Sequence, residues 1–406
     1  MKNRIQVIAQ QIALRLIFLW LGATNLPAQG TWSQQGSYGG DERAFGFAFV
    51  VNGKAYVGGG ASYGGSRTDE EMWAYDPAGN AWVRKADLPL VPYRAEAMAV
   101  GSYGYLIAGV NRAGNWVTEV WQYNPASDQW LQKNNFQGDM RVDGVAFAIG
   151  NKGYYGLGGA AAPYKRDFWE YDPAADRWTQ KRDCPVGRRA ATAFAIGSKG
   201  YIGLGDTSGL LNDCWEYDPA ADRWTARAAF GGAARRNAVG FSIHGKGYVG
   251  NGFAGNSYRK DFWEYNPAGN SWQQVSELPG AGRQAAAAFA INNQGYVVNG
   301  YYSTLSVTGL KDLWQYTAST QHIASTAPGS SVTVFPNPGD GRFRIAGGPA
   351  GILSLRVYDL TGKMLLEQQD LQPGQVLPDL SGFGKSVYTL EIRSSAGVAR
   401  VKLVVE

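Results

Sequence analysis

Histidine is almost missing from this 406-residue chain, which has only His244 and His322, and cysteine is as scarce, with Cys184 and Cys214. Four residues so dispersed do not make the spaced Cys/His set of a zinc site, so no metal site is expected. There is no Gly-x-x-x-x-Gly-Lys-Ser/Thr phosphate loop and no serine elbow set between a strand and a helix, and no cofactor is expected. Charged residues are few, at 17%. Without residues 1–28, which carry Lys2, Arg4 and Arg15 and no acid, 35 basic side chains face 33 acidic ones, a balance of +2. That is not the electrostatic footprint of a nucleic-acid-binding protein. Long apolar runs are also lacking: Leu16–Leu21 (LIFLWL) is too short to cross a bilayer. With its basic flank and the small Ala28 before Gln29, the segment 1–28 reads as a removed secretory signal rather than an anchor.

What the chain does have is 55 Gly, 14 Trp and 23 Tyr. Many glycines and aromatics without charge-rich tracts point to short strands joined by tight turns. The aromatics are periodic. Trp-x-Tyr occurs at Trp73, Trp121, Trp169, Trp215, Trp263 and Trp314, at intervals of 48, 48, 46, 48 and 51 residues. In the first five units a second Trp follows nine positions later, at Trp82, Trp130, Trp178, Trp224 and Trp272. The decamer WEYDPAADRW even recurs unchanged at 169–178 and 215–224. A second series, Tyr56, Tyr105, Tyr154, Tyr201, Tyr248 and Tyr296, has Gly four residues on in every unit.

Each unit therefore reads as four short strands, a to d, with the tyrosine on b, Trp-x-Tyr on c and the second Trp on d. A period near 48 with four strands is the signature of a β-propeller. The sixth unit lacks its second Trp, while an unpartnered Trp32 precedes the first. A strand around Trp32 is expected to supply strand d of the last blade, closing a six-bladed ring without open edges.

The small-residue strands, the Tyr-led strand ending in glycine and the Tyr…Trp pair resemble the kelch family over roughly 31–317. Only Gly59-Gly60 and Gly158-Gly159 keep a double glycine; Ala108, Leu204, Asn251 and Asn299 precede the retained glycine elsewhere. After a Ser/Thr/Ala/Pro linker (318–331), VFPNP (334–338), VYDLTGK (357–363), VYTLEI (387–392) and KLVV (402–405) resemble the C-terminal sorting domain of the Bacteroidetes type IX secretion system, with Ser386 where that family usually has Gly. The resemblance implies a small β-sandwich at 332–406 read by the export machinery, and a protein released or held at the outer surface after passing the periplasm. The expected fold is thus all-β, a six-bladed propeller at 29–317 followed by that module.

Counting strand directions puts the d–a and b–c loops on one face and the a–b and c–d turns on the other. The b–c loops are long and varied, and variable loops on a rigid scaffold are where binding concentrates. Arginines recur on this face where strand a begins: Arg43, Arg94, Arg141, Arg188 with Arg189, Arg235 with Arg236, and Arg283. An acid precedes each first Trp by two residues: Glu71, Glu119, Asp167, Asp213, Asp261 and Asp312. These acids read as structural partners of the arginines, with a surplus of positive charge in blades 4 and 5. Tyr164 and Arg166, and Tyr258 and Arg259, add planar donors and rings from the b–c loops, and Trp116, Tyr63 and Tyr302 are candidate loop aromatics. Such a set suits a carboxylate or sulfate on a sugar, or an acidic protein.

Cys184 and Cys214 fall at two positions that elsewhere hold Phe136 with Phe168 and Phe230 with Phe262. Pairs matched in kind suggest contact, so a Cys184–Cys214 disulfide is expected in an oxidising compartment, with two buried thiols as the alternative. The kelch resemblance also brings the copper oxidases of the galactose-oxidase type to mind, but the histidine pair they need is lacking. The expected function is recognition of an acidic glycan or protein. The alternative is an epimerase or lyase acting on an acidic sugar with Arg, Tyr and acidic groups and no metal, the six-bladed kelch sialic-acid epimerases being the comparison.

Overall fold

The structure is a computed structural model. It describes residues 30–318, apart from 63–69, 91, 112, 160 and 304–306, and the strands of the C-terminal segment with a few flanking residues between 332 and 405. The signal sequence expected at 1–28, the linker and Tyr63 lie outside the described residues. Two compact units separate in the chain, one of them spanning Gly30–Ala318.

Within Gly30–Ala318, six four-stranded antiparallel sheets follow one another. Strands a to d are Phe47–Val51, Lys54–Gly58, Met72–Asp76 and Ala81–Arg84 in blade 1, and Thr192–Ile196, Lys199–Gly203, Cys214–Asp218 and Arg223–Arg227 in blade 4. The sixth sheet is completed from the other end of the unit: Thr31–Gln35 pairs with Leu313–Thr317, with Trp32 opposite Tyr316. Trp32 does what the second Trp does elsewhere. Its indole donates to the Ser276 carbonyl at 2.8 Å, as Trp224 donates to Arg182 and Trp272 to Ala228 in their blades.

Side chains on a strand alternate between faces, so each sheet buries one set of residues against the preceding blade and one against the next. The buried apolar residues accordingly form six clusters, each drawn from two neighbouring blades. The strand-b glycines are required by this packing: a Cβ on Gly200 would collide with the Phe147 ring of the blade before. The Asp-Pro-Ala-Ala-Asp turn also ties blades together. In blade 4, Asp222 accepts from the Tyr217 hydroxyl (2.7 Å) and from the Arg182 amide of blade 3 (3.0 Å).

In the C-terminal unit, Val332–Phe335 pairs with Arg344–Gly347, and a four-stranded antiparallel sheet runs Met364–Leu371, Ile352–Tyr358, Ser386–Ser394, Gly397–Val405. Leu355, Val357, Leu380, Tyr388, Leu390, Ile392, Leu403 and Val405 form its core.

Candidate functional site

The recurring arginines divide into two sets that the sequence runs together. Arg43, Arg141, Arg188, Arg235 and Arg283 are completely buried. Each reaches the acid two residues before the first Trp: Arg141 grips Asp167 with two bonds of 2.7 Å, Arg235 grips Asp261 with two of 2.8 Å, and Arg188 and Arg283 fork Asp213 and Asp312 in the same way. Arg43 approaches Glu71 at 3.7 Å. The indole of the following Trp donates to the same carboxylate, as Trp169 does to Asp167 at 2.7 Å.

The guanidinium Nη1 also donates to a backbone carbonyl sixteen residues on, from Gly59, Leu157, Leu204, Asn251 or Asn299. All five of those residues are left-handed, with φ between 56° and 65°. That conformation favours glycine but is held here by the arginine bond, which explains how most blades dispense with the double glycine. The glycine that follows is needed, because a Cβ on Gly205 (φ +92°) would sit 2.6 Å from the Arg189 carbonyl. Burial alone would raise the carboxyls of Asp167, Asp261 and Asp312, but the arginine bonds outweigh it and hold them below the ordinary range. Arg141, Arg188, Arg235 and Arg283 are therefore committed to the frame and do not line a ligand surface.

In blade 2 the position of this arginine is occupied by Pro92, whose carbonyl accepts from Gly60 as that of Arg188 accepts from Gly158. Arg94 stands two residues further on, in register with Phe45, Asp143, Ala190, Asn237 and Ala285. These six residues are all left-handed, with φ from 51° to 60°. Their backbones form a closed ring: the amide of each donates to the carbonyl of the equivalent residue one blade back, at 3.0 to 3.4 Å, and Phe45 closes the circle on Ala285. The ring rims a central cavity of about 190 Å³ walled by the small residues of strand a, such as Ala48, Ala97, Ala146, Ala193, Gly240 and Ala288. Non-glycine residues held left-handed by surrounding structure concentrate at functional sites.

The charges at this mouth are unequal. Arg94 pairs with Asp143 and lies 4.0 Å above the Phe45 ring. Arg189 and Arg236, one residue beyond the buried arginines, both turn to a single carboxylate, Asp206, at 3.4 and 3.0 Å. Three guanidiniums thus face two carboxylates, and the Nε of Arg236 has no partner. Arg189 and Arg236 are 29% and 35% exposed, so ligand can reach them. Aromatic rings flank the charges: Tyr93 by Arg94, Tyr164 under Arg189 at 5.0 Å and Phe253 under Arg236 at 5.6 Å. Tyr258 packs on Phe253 and Tyr301, and Tyr301 accepts from Gln284 at 2.5 Å. Below the rim, burial and the neighbouring Asp143 push the Glu96 carboxyl well above the ordinary range, and burial raises Asp143 despite Arg94.

Of the predicted loop residues, Tyr164 and Tyr258 belong to this mouth. Arg166 is exposed and donates to the Cys184 carbonyl at 3.0 Å. Arg259 is half-buried, with its Nε unpartnered. Trp116 sits opposite Val110 in the long b–c hairpin of blade 2. Sequence reasoning missed Asp143, Asp206, Glu96 and Phe253. The signal for the first was present, since Arg94 and Asp143 break the pattern at one repeat position, but reading it requires knowing that Pro92 replaces the buried arginine.

The expected disulfide is absent: Cys184 and Cys214 are both free and buried. Cys184 packs between blades 3 and 4 with Phe168 and Tyr217, whereas Cys214 packs between blades 4 and 5 with Phe230 and Tyr265. The matched pairs lie on opposite faces of a blade, as Phe136 and Phe168 also do, so similarity in kind reflects similar slots rather than contact. Burial raises both thiols, that of Cys214 to about 12.

Residues 333–406 match the model of a family described as the secretion system C-terminal sorting domain. The protein is thus exported through the type IX system, to the outer surface or the medium. No curated protein matches the chain. Among solved structures, one titled "Structure of YjhT" is similar over 69% of this chain and 96% of that one, with a TM-score of 0.57 and 15% sequence identity, a likeness of fold.

Proposed function

We propose that this exported β-propeller, a divergent member of the kelch type, is a recognition protein that binds an acidic glycan at the mouth ringed by Arg94, Arg189 and Arg236. The observation that carries the reading is the surplus of guanidinium over carboxylate at a concave, aromatic-flanked rim. Planar donors match carboxylate and sulfate oxygens two at a time, and the tyrosine and phenylalanine rings offer apolar faces to sugar rings. Tyr164 and Tyr258 join the site. An acidic segment of a protein is the other ligand this charge pattern accommodates, and the type IX machinery is the partner in export.

One observation favours a second reading, an epimerase or lyase on an acidic sugar. Glu96 and Asp143 are neighbouring carboxyls in the cavity below the arginines, Glu96 raised well above the ordinary range and Asp143 raised by burial against the pull of Arg94, and two carboxyls of unequal proton affinity are the arrangement acid–base catalysis uses.

The test is a glycan array probed with the wild type and with an Arg189→Ala/Arg236→Ala variant. Binding confined to uronate-, sialate- or sulfate-bearing glycans, lost in the variant, supports recognition. Binding that survives both changes removes the mouth as the site. Turnover of a bound sugar, lost in Glu96→Gln, would move the assignment to the enzyme.

A further inference from the structure

Opposite the strand-b tyrosine, five of the six blades carry a polar residue on strand c. Tyr154 donates to Glu170 (2.9 Å), Tyr201 to Glu216 (2.7 Å) and Tyr248 to Glu264 (2.6 Å). In blades 2 and 6 the amides of Gln122 and Gln315 donate to Tyr105 (2.6 Å) and Tyr296 (2.9 Å). The three carboxylates also have cations. Lys181 and Arg227, from the end of strand d, reach Glu170 at 3.4 Å and Glu216 at 2.7 Å, and Lys246, from the start of strand b, pairs with Glu264.

Blade 1 keeps the tyrosine and the lysine positions of this set and lacks the acceptor. Tyr56 occupies the tyrosine position, Lys54 that of Lys246, and Lys85 that of Lys181 and Arg227. Opposite Tyr56, however, stands Ala74. Beside Ala74 lies a cavity of about 480 Å³ lined by Tyr56, Ala74, Lys54, Asp76, Lys85 and Pro125. Tyr56 is 4% exposed, and no described residue accepts from its hydroxyl. The two lysines hold the acids that their counterparts hold elsewhere in the repeat: Lys54 pairs with Asp76 at 2.9 Å, as Lys152 and Lys199 do with Asp172 and Asp218, and Lys85 reaches Asp128 at 3.8 Å, as Lys133 reaches Asp176 at 3.4 Å.

We infer that this cavity, between blades 1 and 2 on the side of the a–b and c–d turns, is a carboxylate-binding site distinct from the channel mouth. The Tyr56 ring packs between the blades while the residue lines the cavity with no acceptor for its hydroxyl among the described residues, and an ionised carboxylate would take that bond at charge-assisted strength. The repeat itself displays the bound state: the Glu170, Glu216 and Glu264 side chains are the ligand in covalent form. The cavity is larger than a glutamate side chain, so the carboxylate it accepts is carried on a compact body, an acidic sugar or an acidic side chain. Asp76 and Asp128 already balance the lysines, which keeps the affinity for a bare carboxylate modest, a Kd on the order of 1 mM.

The experiment uses propionate, which reproduces the end of the missing side chain, with saturation-transfer NMR on the full chain. Wild-type protein is expected to bind it saturably. Ala74→Glu places a covalent carboxylate opposite Tyr56, as in blades 3 to 5, and is expected to abolish the signal; Ala74→Gln, as found in blades 2 and 6, serves if that variant does not fold. Tyr56→Phe, which keeps the volume, should weaken binding at least about ten-fold, equivalent to about 1.4 kcal/mol. All of these, the wild-type cavity included, are compared in an Arg189→Ala/Arg236→Ala background, in which the proposed glycan mouth no longer contributes carboxylate binding and the two sites are separated. Glucuronate and N-acetylglutamate amide, run in parallel, identify the natural carrier by which binds more tightly. The inference is overturned if wild type gives no saturable propionate signal, or if Ala74→Glu binds as well as wild type.

Discussion

Arg188 and Asp213 meet as a two-pronged fork, Nη1 to Oδ1 at 2.5 Å and Nη2 to Oδ2 at 2.7 Å, while the adjacent Arg189 points away from it to Asp206. Consecutive residues of an extended chain face opposite ways, so two neighbouring arginines acquire unrelated jobs. One ties strand a to strand c within its blade, and the other sits at the rim.

This division is measurable. Removing one partner of a buried ion pair leaves an uncompensated group, so Arg188→Ala should lower the unfolding free energy by about 3 kcal/mol. Arg189→Ala, at an accessible pair, should cost less than about 1 kcal/mol yet weaken acidic-glycan binding. Urea unfolding of the two variants gives the stabilities. Equal losses would mean that both arginines belong to the frame.

Glu96 should impose an unusual pH dependence. Its folded-state carboxyl is raised by burial and by Asp143, so the folded form holds a proton that the unfolded chain releases more readily. Its contribution is therefore fully present below the unfolded value, near 4.3, and is lost as pH rises through the folded value. Glu96→Gln should be the more stable protein at pH 8 and should flatten the unfolding curve between pH 5 and 8. A variant with the wild-type slope would dissociate Glu96 from it.

The opposite sign holds for Asp167, Asp261 and Asp312, whose carboxyls are depressed. Their stabilisation is present above the unfolded Asp value and disappears as pH falls through the lower folded one. Acid unfolding monitored by tryptophan fluorescence should set in below about pH 4. Asp167→Asn should remove part of the acid transition and be destabilised at neutral pH.

Both thiols should resist iodoacetamide in the native protein, since burial keeps Cys184 and Cys214 protonated, and react once it is unfolded without reductant. Mass spectrometry of the unfolded, unreduced protein should find both alkylated. A bridged peptide pair would contradict the separation of the two residues across the blade 4 sheet.

Trp32→Ala should open the ring where the chain closes on itself. The indole bonds the Ser276 carbonyl and packs on Phe262 and Tyr316 at 4.8 and 4.9 Å. Loss of a packed tryptophan costs roughly 3 kcal/mol or more. A variant that unfolds at the wild-type urea midpoint would show that the closing strand holds without it.

The sequence by itself determined the number of blades, the assignment of strands a to d and the closing role of the Trp32 strand. These follow from a period that aromatic residues mark every 46 to 51 positions, because each blade must bury the same kinds of side chain between the same neighbours. The decamer WEYDPAADRW was legible as strand, turn and strand for that reason, though its Asp176 and Asp222 tether the blade before, a long-range bond that no local pattern announces.

Only the tertiary structure decided which arginines face the mouth. Arg141, Arg188, Arg235 and Arg283 look like a basic ring in one dimension, and it takes the fold to bring Asp167, Asp213, Asp261 and Asp312 beneath them and leave Arg94, Arg189 and Arg236 at the rim. It also separated the two cysteines that repeat logic had joined. A one-residue step decides which side of a sheet a group occupies, and charges cancel or persist according to distances across the ring, so neither is written in the order of the residues.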